Sequence, residues 1–160
     1  MAQARKPSTS RSTGTPEMLL DNQLCFALYS ASLAMTKVYR PLLARHGLTY
    51  PQYVVMLALW EYDGLSIGEL GQRVALDSGT LTPLLKRMQT LGLLERTRSA
   101  ADERLVLITL TRSGAELGTR ATAIHKEVAC ATACNSRELL SLTQALQALR
   151  TSLLANASAA

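Results

Sequence analysis

A mainly α-helical fold with one small β-hairpin is the class this chain predicts, and three observations predict it. The 160 residues are 48% hydrophobic yet include one Phe and one Trp. The core is therefore built from Leu, Ala, Val and Met, a composition that favours helices over stacked sheets. Apolar residues recur in steps of three and four along most of the chain. Between Leu94 and Leu110 that period gives way to short strand-like runs. The length suits one domain with a substantial core, expected over 17–160.

Residues 1–16 are rich in Ser, Thr, Pro and Arg with little to bury, which predicts a disordered basic arm. Arg5, Lys6 and Arg11 are followed by no apolar segment, so the start does not read as a secretory signal. No apolar run approaches the roughly 20 residues of a membrane span. A cytoplasmic protein is expected, with no membrane partner.

A long first helix is expected from Asp21 to Gly47. Leu24, Leu28, Ala31, Met35, Val38 and Leu42 form its stripe, Gly47 is its left-handed cap, and Pro41 is a kink or early stop. It would place Cys25 inside a helix. Thr49 with Gln52 predicts the cap of a second helix bearing Val54, Val55, Leu57, Ala58 and Trp60, with Pro51 tolerated in the first turn. Ser66 with Glu69 opens a third, carrying Ile67, Leu70 and Val74 inward. Asp77 or Ser78 caps a fourth, whose Leu81, Leu84, Leu85, Met88 and Leu91 share a face before Gly92 stops it. Glu95–Arg98 and Leu105–Leu110 flank a polar tip, Ser99–Arg104, as a hairpin. Thr111 caps a fifth helix to about Ala133, and Asn135 with Glu138 starts a sixth. In that last helix Leu139, Leu142, Leu146, Leu149 and Leu153 make a narrow seam that needs a partner, either the first helix or a second subunit.

Two short helices followed by a hairpin make a winged helix-turn-helix, an α+β arrangement of about six helices, expected over about 49–110. Helices over 21–47 and 111–155 remain for dimerisation. The formal charge of +5 matters less than its placement, because Arg5, Lys6 and Arg11 lie in the arm. Arg73, Lys86, Arg87, Arg96, Arg98 and Arg104 cluster in or beside the two-helix unit, as a nucleic-acid footprint would. On the fourth helix the face opposite the leucines holds Gly79, Thr82, Pro83, Lys86 and Thr90, flanked by Thr80 and Arg87. Small hydroxyl side chains near its start suit base edges, and Lys86 and Arg87 suit phosphates. In the wing Arg104 suits a minor groove and Arg96 and Arg98 the backbone, with Asp102 placed to hold Arg104. One subunit would read one half-site, so a homodimer on palindromic double-stranded DNA is expected.

Three cysteines in a helical chain make no disulfide framework. Cys130 and Cys134 are one helical turn apart, but His46 and His125 are the only histidines, so no metal and no cofactor are expected. Cys25 and Tyr29 are also one turn apart. Tyr39 lies about 21 Å farther along the same helix at about 1.5 Å per residue. Within one straight helix it cannot reach Cys25, whereas a two-fold partner packed across the helix would bring Tyr39 of the second chain, and Tyr50 with it, beside that sulfur. Phenol hydroxyls donating to sulfur favour the thiolate, the form that attacks a peroxide bond. Alternatively, Cys25 is a small core residue and the tyrosines are interface aromatics.

With the helix-turn-helix and wing in view, residues 20–155 resemble the MarR family of winged-helix repressors. More narrowly, Leu76-Asp-Ser-Gly-Thr-Leu-Thr-Pro-Leu-Leu-Lys-Arg-Met88 and Ala101-Asp-Glu-Arg104 resemble its organic-hydroperoxide-resistance branch. The resemblance implies that Asp77, Ser78, Thr80, Lys86, Arg87 and Arg104 meet DNA. It implies a reactive thiol at Cys25, hydrogen-bonded by Tyr39 and Tyr50 of the other subunit, and a resolving thiol at Cys130, with Cys134 spare. The expected cycle is release from the operator when an organic hydroperoxide oxidises Cys25 and an intersubunit disulfide closes, then reset by thiol reductants. Three other readings compete: a repressor induced by a small phenolic ligand, a thiol peroxidase, and a helical scaffold with an incidental basic face. No enzymatic activity is expected.

Overall fold

A computed structural model describes residues 15–100, 102 and 104–157. The arm expected over 1–16 thus falls almost wholly outside the described residues, as do Ala101 and Glu103 of the wing. The chain divides into two compact units, one ending at Lys37 and the other starting at Val38.

In the first unit two short 3-10 turns, Pro16–Met18 and Leu20–Asn22, precede helix α1 (Leu24–Ala44). The helix therefore begins later than the expected Asp21. Side-chain amides are the reason: Asn22 donates to the Pro16 carbonyl at 2.7 Å, and Gln23 donates to the carbonyls of Glu17 and Leu19. Those bonds stabilise a turn and compete with helix initiation. None of the described residues of this unit is buried. The apolar stripe is present, but Leu24 is 59% exposed.

The second unit begins within α1, which runs on past Pro41 to Ala44 rather than stopping there. Pro41 lacks an N–H, so the Lys37 carbonyl has no helical donor four residues on. Leu42 and Leu43 are buried beyond it, and Gly47 caps the turn at φ 66°. Helix α2 (Tyr50–Glu61) opens as expected, with the Thr49 N–H donating to the Gln52 side chain at 2.8 Å. A two-residue strand β1 (Leu65–Ser66), unforeseen in the sequence, leads into α3 (Ile67–Val74). There the Ser66–Glu69 box is closed in both directions. Helix α4 (Ser78–Thr90) is capped by Asp77. Strands β2 (Leu94–Arg98) and β3 (Val106–Leu110) form the hairpin, and β1 adds to β3 to give antiparallel order β1-β3-β2. Helices α5 (Arg112–Ala131) and α6 (Ser136–Ala157) complete the chain.

The core is built from α2, α3, α4 and the sheet: Val55, Met56, Leu70, Leu81, Leu85, Met88 and Ile108 are all fully enclosed. Burying each such side chain contributes about 1.5–3 kcal/mol. Leu91 departs from the expected face; it caps α4 and is 54% exposed. Helix α5 docks through small residues. A Cβ on Gly114 would lie 2.0 Å from the Leu93 carbonyl oxygen, and the Trp60 indole donates to the Gly114 carbonyl at 2.9 Å. Helix α6 buries none of its residues, so its leucine seam faces outward. Among the described residues no helix is long and apolar enough to cross a membrane.

Candidate DNA interface and sensor thiols

The candidate reading helix, α4, is anchored from behind. Leu81, Leu85 and Met88 are wholly buried, fixing α4 so that Ser78, Gly79, Thr80, Pro83, Lys86 and Arg87 face solvent. Thr82 is half-buried. Asp77 sets the start: one carboxylate oxygen accepts from the Thr80 N–H and the other from the Thr80 hydroxyl, each at 2.9 Å. These bonds, the backbone one first, hold its carboxyl below the usual range, so it is anionic at neutral pH. Asp77 therefore shapes the helix start and occupies the Thr80 proton. The turn before it is equally tight, with Ala75 left-handed at φ 54° and a Gly71 Cβ position only 2.9 Å from the Leu76 carbonyl.

In the wing, Asp102 is placed as expected but acts on the main chain: its carboxylate accepts from the Arg104 N–H at 2.9 Å. The Leu105 N–H donates to the Asp102 carbonyl, and the Ser99 N–H to that of Leu105. Arg104 is exposed. Arg98 is exposed as well, opposite Val106. Arg96 differs. It pairs with buried Ile108, is half-buried, and its Nε is enclosed without a hydrogen-bond partner. Arg73 also leaves the expected basic cluster, stacked 3.9 Å from the Tyr62 ring centre and 3.3 Å from Glu61. Lys86, Arg87, Arg98 and Arg104 form no ion pair among the described residues, as cations reserved for phosphate would.

Cys25 is the second residue of α1, not deep inside a helix, and it is exposed with Tyr29 a turn later. The first turn of a helix favours negative charge. In the second unit Tyr39 lies 5.0 Å from Tyr50 and 5.5 Å from Tyr53 between ring centres. Burial first, then the neighbouring phenols, pushes the Tyr39 hydroxyl up to about 12, so it remains a proton donor. Burial raises Tyr53 too. A cavity of 320 Å³ is lined by Tyr39, Tyr53, Leu57, Trp60, Thr122 and His125, among others. Cys130, the penultimate residue of α5, is exposed, as is Cys134 beyond it.

A family profile for the transcriptional regulators SarA/Rot matches residues 37–120. The organic hydroperoxide resistance transcriptional regulator of Bacillus subtilis is 48% identical over 132 residues, 82% of this chain and 90% of that protein. The chain belongs to the MarR family of winged-helix transcriptional regulators. Among solved structures, reduced AbfR bound to DNA is 32% identical, with a TM-score of 0.68, over 84% of this chain and 94% of that one. The disulfide form of AbfR is 35% identical with a TM-score of 0.59, over 81% and 91%. AbfR is from Staphylococcus epidermidis.

The caps and helices of the candidate reading head are largely visible in the sequence, because caps and helix periods are local. Tyr53, Trp60 and His125 are not singled out there as site residues. Tyr50 and Tyr53 stand three apart, and Trp60 two turns on from Tyr53, a spacing that signals one aromatic face.

Proposed function

We propose that this regulator is a redox-sensing repressor that binds palindromic operator DNA as a reduced homodimer. It lets go when an organic hydroperoxide oxidises Cys25 and Cys130 of the partner subunit closes a disulfide with it. The observation that carries the reading is Cys25 itself: an exposed thiol in the first turn of α1, in a chain 48% identical to a hydroperoxide resistance regulator. Oxidation gives a sulfenic acid and an alcohol; condensation with the second thiol expels water and fixes the oxidised state. Closing the bond brings two sulfur atoms to about 2.05 Å, which moves the helices that carry them. Reading heads spaced for one DNA turn lose that spacing, and each 1.4 kcal/mol of forfeited binding energy weakens the complex about tenfold. Thiol reductants restore it.

Tyr39 and Tyr50, with Tyr29 beside the thiol, are assigned as hydrogen-bond donors to the Cys25 sulfur. Asp77, Ser78, Thr80, Lys86, Arg87, Arg98 and Arg104 are assigned to DNA. Arg96 joins them only if its half-buried guanidinium turns outward. Helices over about 21–47 and 111–155 are assigned to the dimer, consistent with the exposed seam of α6.

A gel shift on the chain's own upstream DNA tests this. The reduced protein binds, cumene hydroperoxide releases it, and Cys25→Ser stays bound; release of Cys25→Ser by hydroperoxide refutes thiol sensing. Cys130→Ser should lose reversibility through overoxidation. A second reading is favoured by the aromatic cavity beside Tyr39, in which a small phenolic ligand is the inducer. It expects Cys25→Ser to respond to that ligand as the parent chain does.

A further inference from the structure

Cys134 has no part in that cycle, but its position gives it one. Helix α5 ends at Ala131, and the chain then closes a tight turn. The Thr132 N–H donates to the Ala129 carbonyl and the Ala133 N–H to the Cys130 carbonyl, each at 3.2 Å. Ala133 is left-handed at φ 55°, which turns the chain off the helix axis. Cys134 follows immediately. Its N–H donates to the Thr132 hydroxyl at 3.3 Å and its Sγ lies 3.4 Å from the Thr132 carbonyl oxygen. Both Cys130 and Cys134 are exposed.

The hydrogen-bonded turn keeps Cα of residues 130 and 133 within about 7 Å, and one more residue adds at most about 3.8 Å. A disulfide needs Cα atoms roughly 4.4–6.8 Å apart. Closing a bond between the two requires the exposed turn to tighten until its Cα atoms meet that range, with loss of one weak S–H···O bond.

We propose that Cys134 is an exchange thiol that acts on the intersubunit disulfide, an inference that rests on the pairing of Cys25 with Cys130 proposed above. The Cys134 thiolate attacks the Cys130 sulfur of its own chain. A Cys130–Cys134 bond forms, the bond to Cys25 of the partner subunit breaks, and Cys25 leaves as a thiolate that takes a proton from water. The step is redox-neutral. The only oxidant is the organic hydroperoxide already consumed, reduced to its alcohol and water. Two features favour this direction. A thiol four residues away on the same chain has a far higher effective concentration than one on another subunit. Cys25 leaves from the first turn of a helix, where negative charge is stabilised. The result is a dimer no longer crosslinked, with its sensor thiol rearmed and the oxidation stored within one chain before any external reductant acts.

Reduced parent chain and Cys134→Ser, with Cys134→Ala as a second variant, are treated with one equivalent of cumene hydroperoxide and followed by non-reducing gel and peptide mass spectrometry. Cleavage after Lys126 and Arg137 yields one peptide holding both Cys130 and Cys134, so their disulfide registers as the loss of two hydrogens from that peptide. In the parent chain the crosslinked dimer should rise and then decay as the internally bridged peptide appears. In both variants the crosslink should persist about tenfold longer or more. A crosslink of equal lifetime in all three proteins, or a parent chain without the bridged peptide, overturns the exchange while leaving the switch intact. Absence of any crosslink in all three sinks the switch, and the exchange with it.

Discussion

Tyr39 shows how burial changes the chemistry of a side chain. Its phenol is pushed up to about 12 from 10.0, chiefly by desolvation. A group whose proton is held more tightly in the folded state contributes stability that is complete below pH 10.0 and lost as the pH rises through about 12. Alkaline unfolding monitored by circular dichroism should therefore steepen in that window, and Tyr39→Phe should blunt it. Asp77 and Glu69 have the opposite sign. Hydrogen bonds from Thr80 hold the first below 3.8, and hydrogen bonds from Ser66 hold the second below 4.5. Their contribution is present above those values and fades as acid protonates them in the folded state. A melting-temperature series from pH 6 down to pH 3 should fall, and Asp77→Asn should flatten part of the fall. Unchanged slopes would show that the two caps do not matter to stability.

Elements are held at joints where a single methyl group decides the outcome. Gly114→Ala would put a Cβ 2.0 Å from the Leu93 carbonyl, where backbone meets backbone and neither can yield. A loss of about 3 kcal/mol or more is expected by urea denaturation. Gly118→Ala meets only the Trp60 ring, 3.1–3.2 Å away, and should cost about 1 kcal/mol. Thr111 closes the other end of the same joint, with its hydroxyl donating to the Gly92 carbonyl and accepting from the Gly114 N–H. Thr111→Ala should cost about 1 kcal/mol. Equal effects for the two glycine variants would contradict this account of how α5 docks.

On the scale of the whole molecule, the proposed regulation calls for charge outside and a second copy. Lys86→Gln should lower operator affinity at all sequences alike. It should also reduce the slope of log K against log salt by about 0.9 for each phosphate it ceases to neutralise. A fluorescence-anisotropy salt titration reads this directly, and an unchanged slope would remove Lys86 from the phosphate set. The leucines of α6 are the corresponding test of assembly. Leu142 and Leu146 are 53% and 41% exposed, and Leu146→Glu should shift sedimentation toward monomer and weaken DNA binding together. A dimer that survives that change would place the interface elsewhere.

The sequence by itself determined what is local: capping pairs, helix periods, the winged helix-turn-helix and the candidate cations of α4 and the wing. Each depends on residues three or four apart, so each is legible one turn at a time. Contacts outside the three- and four-residue spacing of a helix decided the rest. The amides of Asn22 and Gln23 reach carbonyls six residues upstream and delay α1, so Cys25 falls in its first turn. Stacking under Tyr62 and pairing with Glu61 withdraw Arg73 from the basic face, and pairing with Ile108 half-buries Arg96. The spacing of Tyr50, Tyr53 and Trp60 marks one face of α2, but Tyr39 comes from α1, and no period along either helix brings it to that face. Hydrogen bonds between neighbours in the chain can be read from order alone, whereas burial depends on what lies opposite, and only the folded chain supplies that.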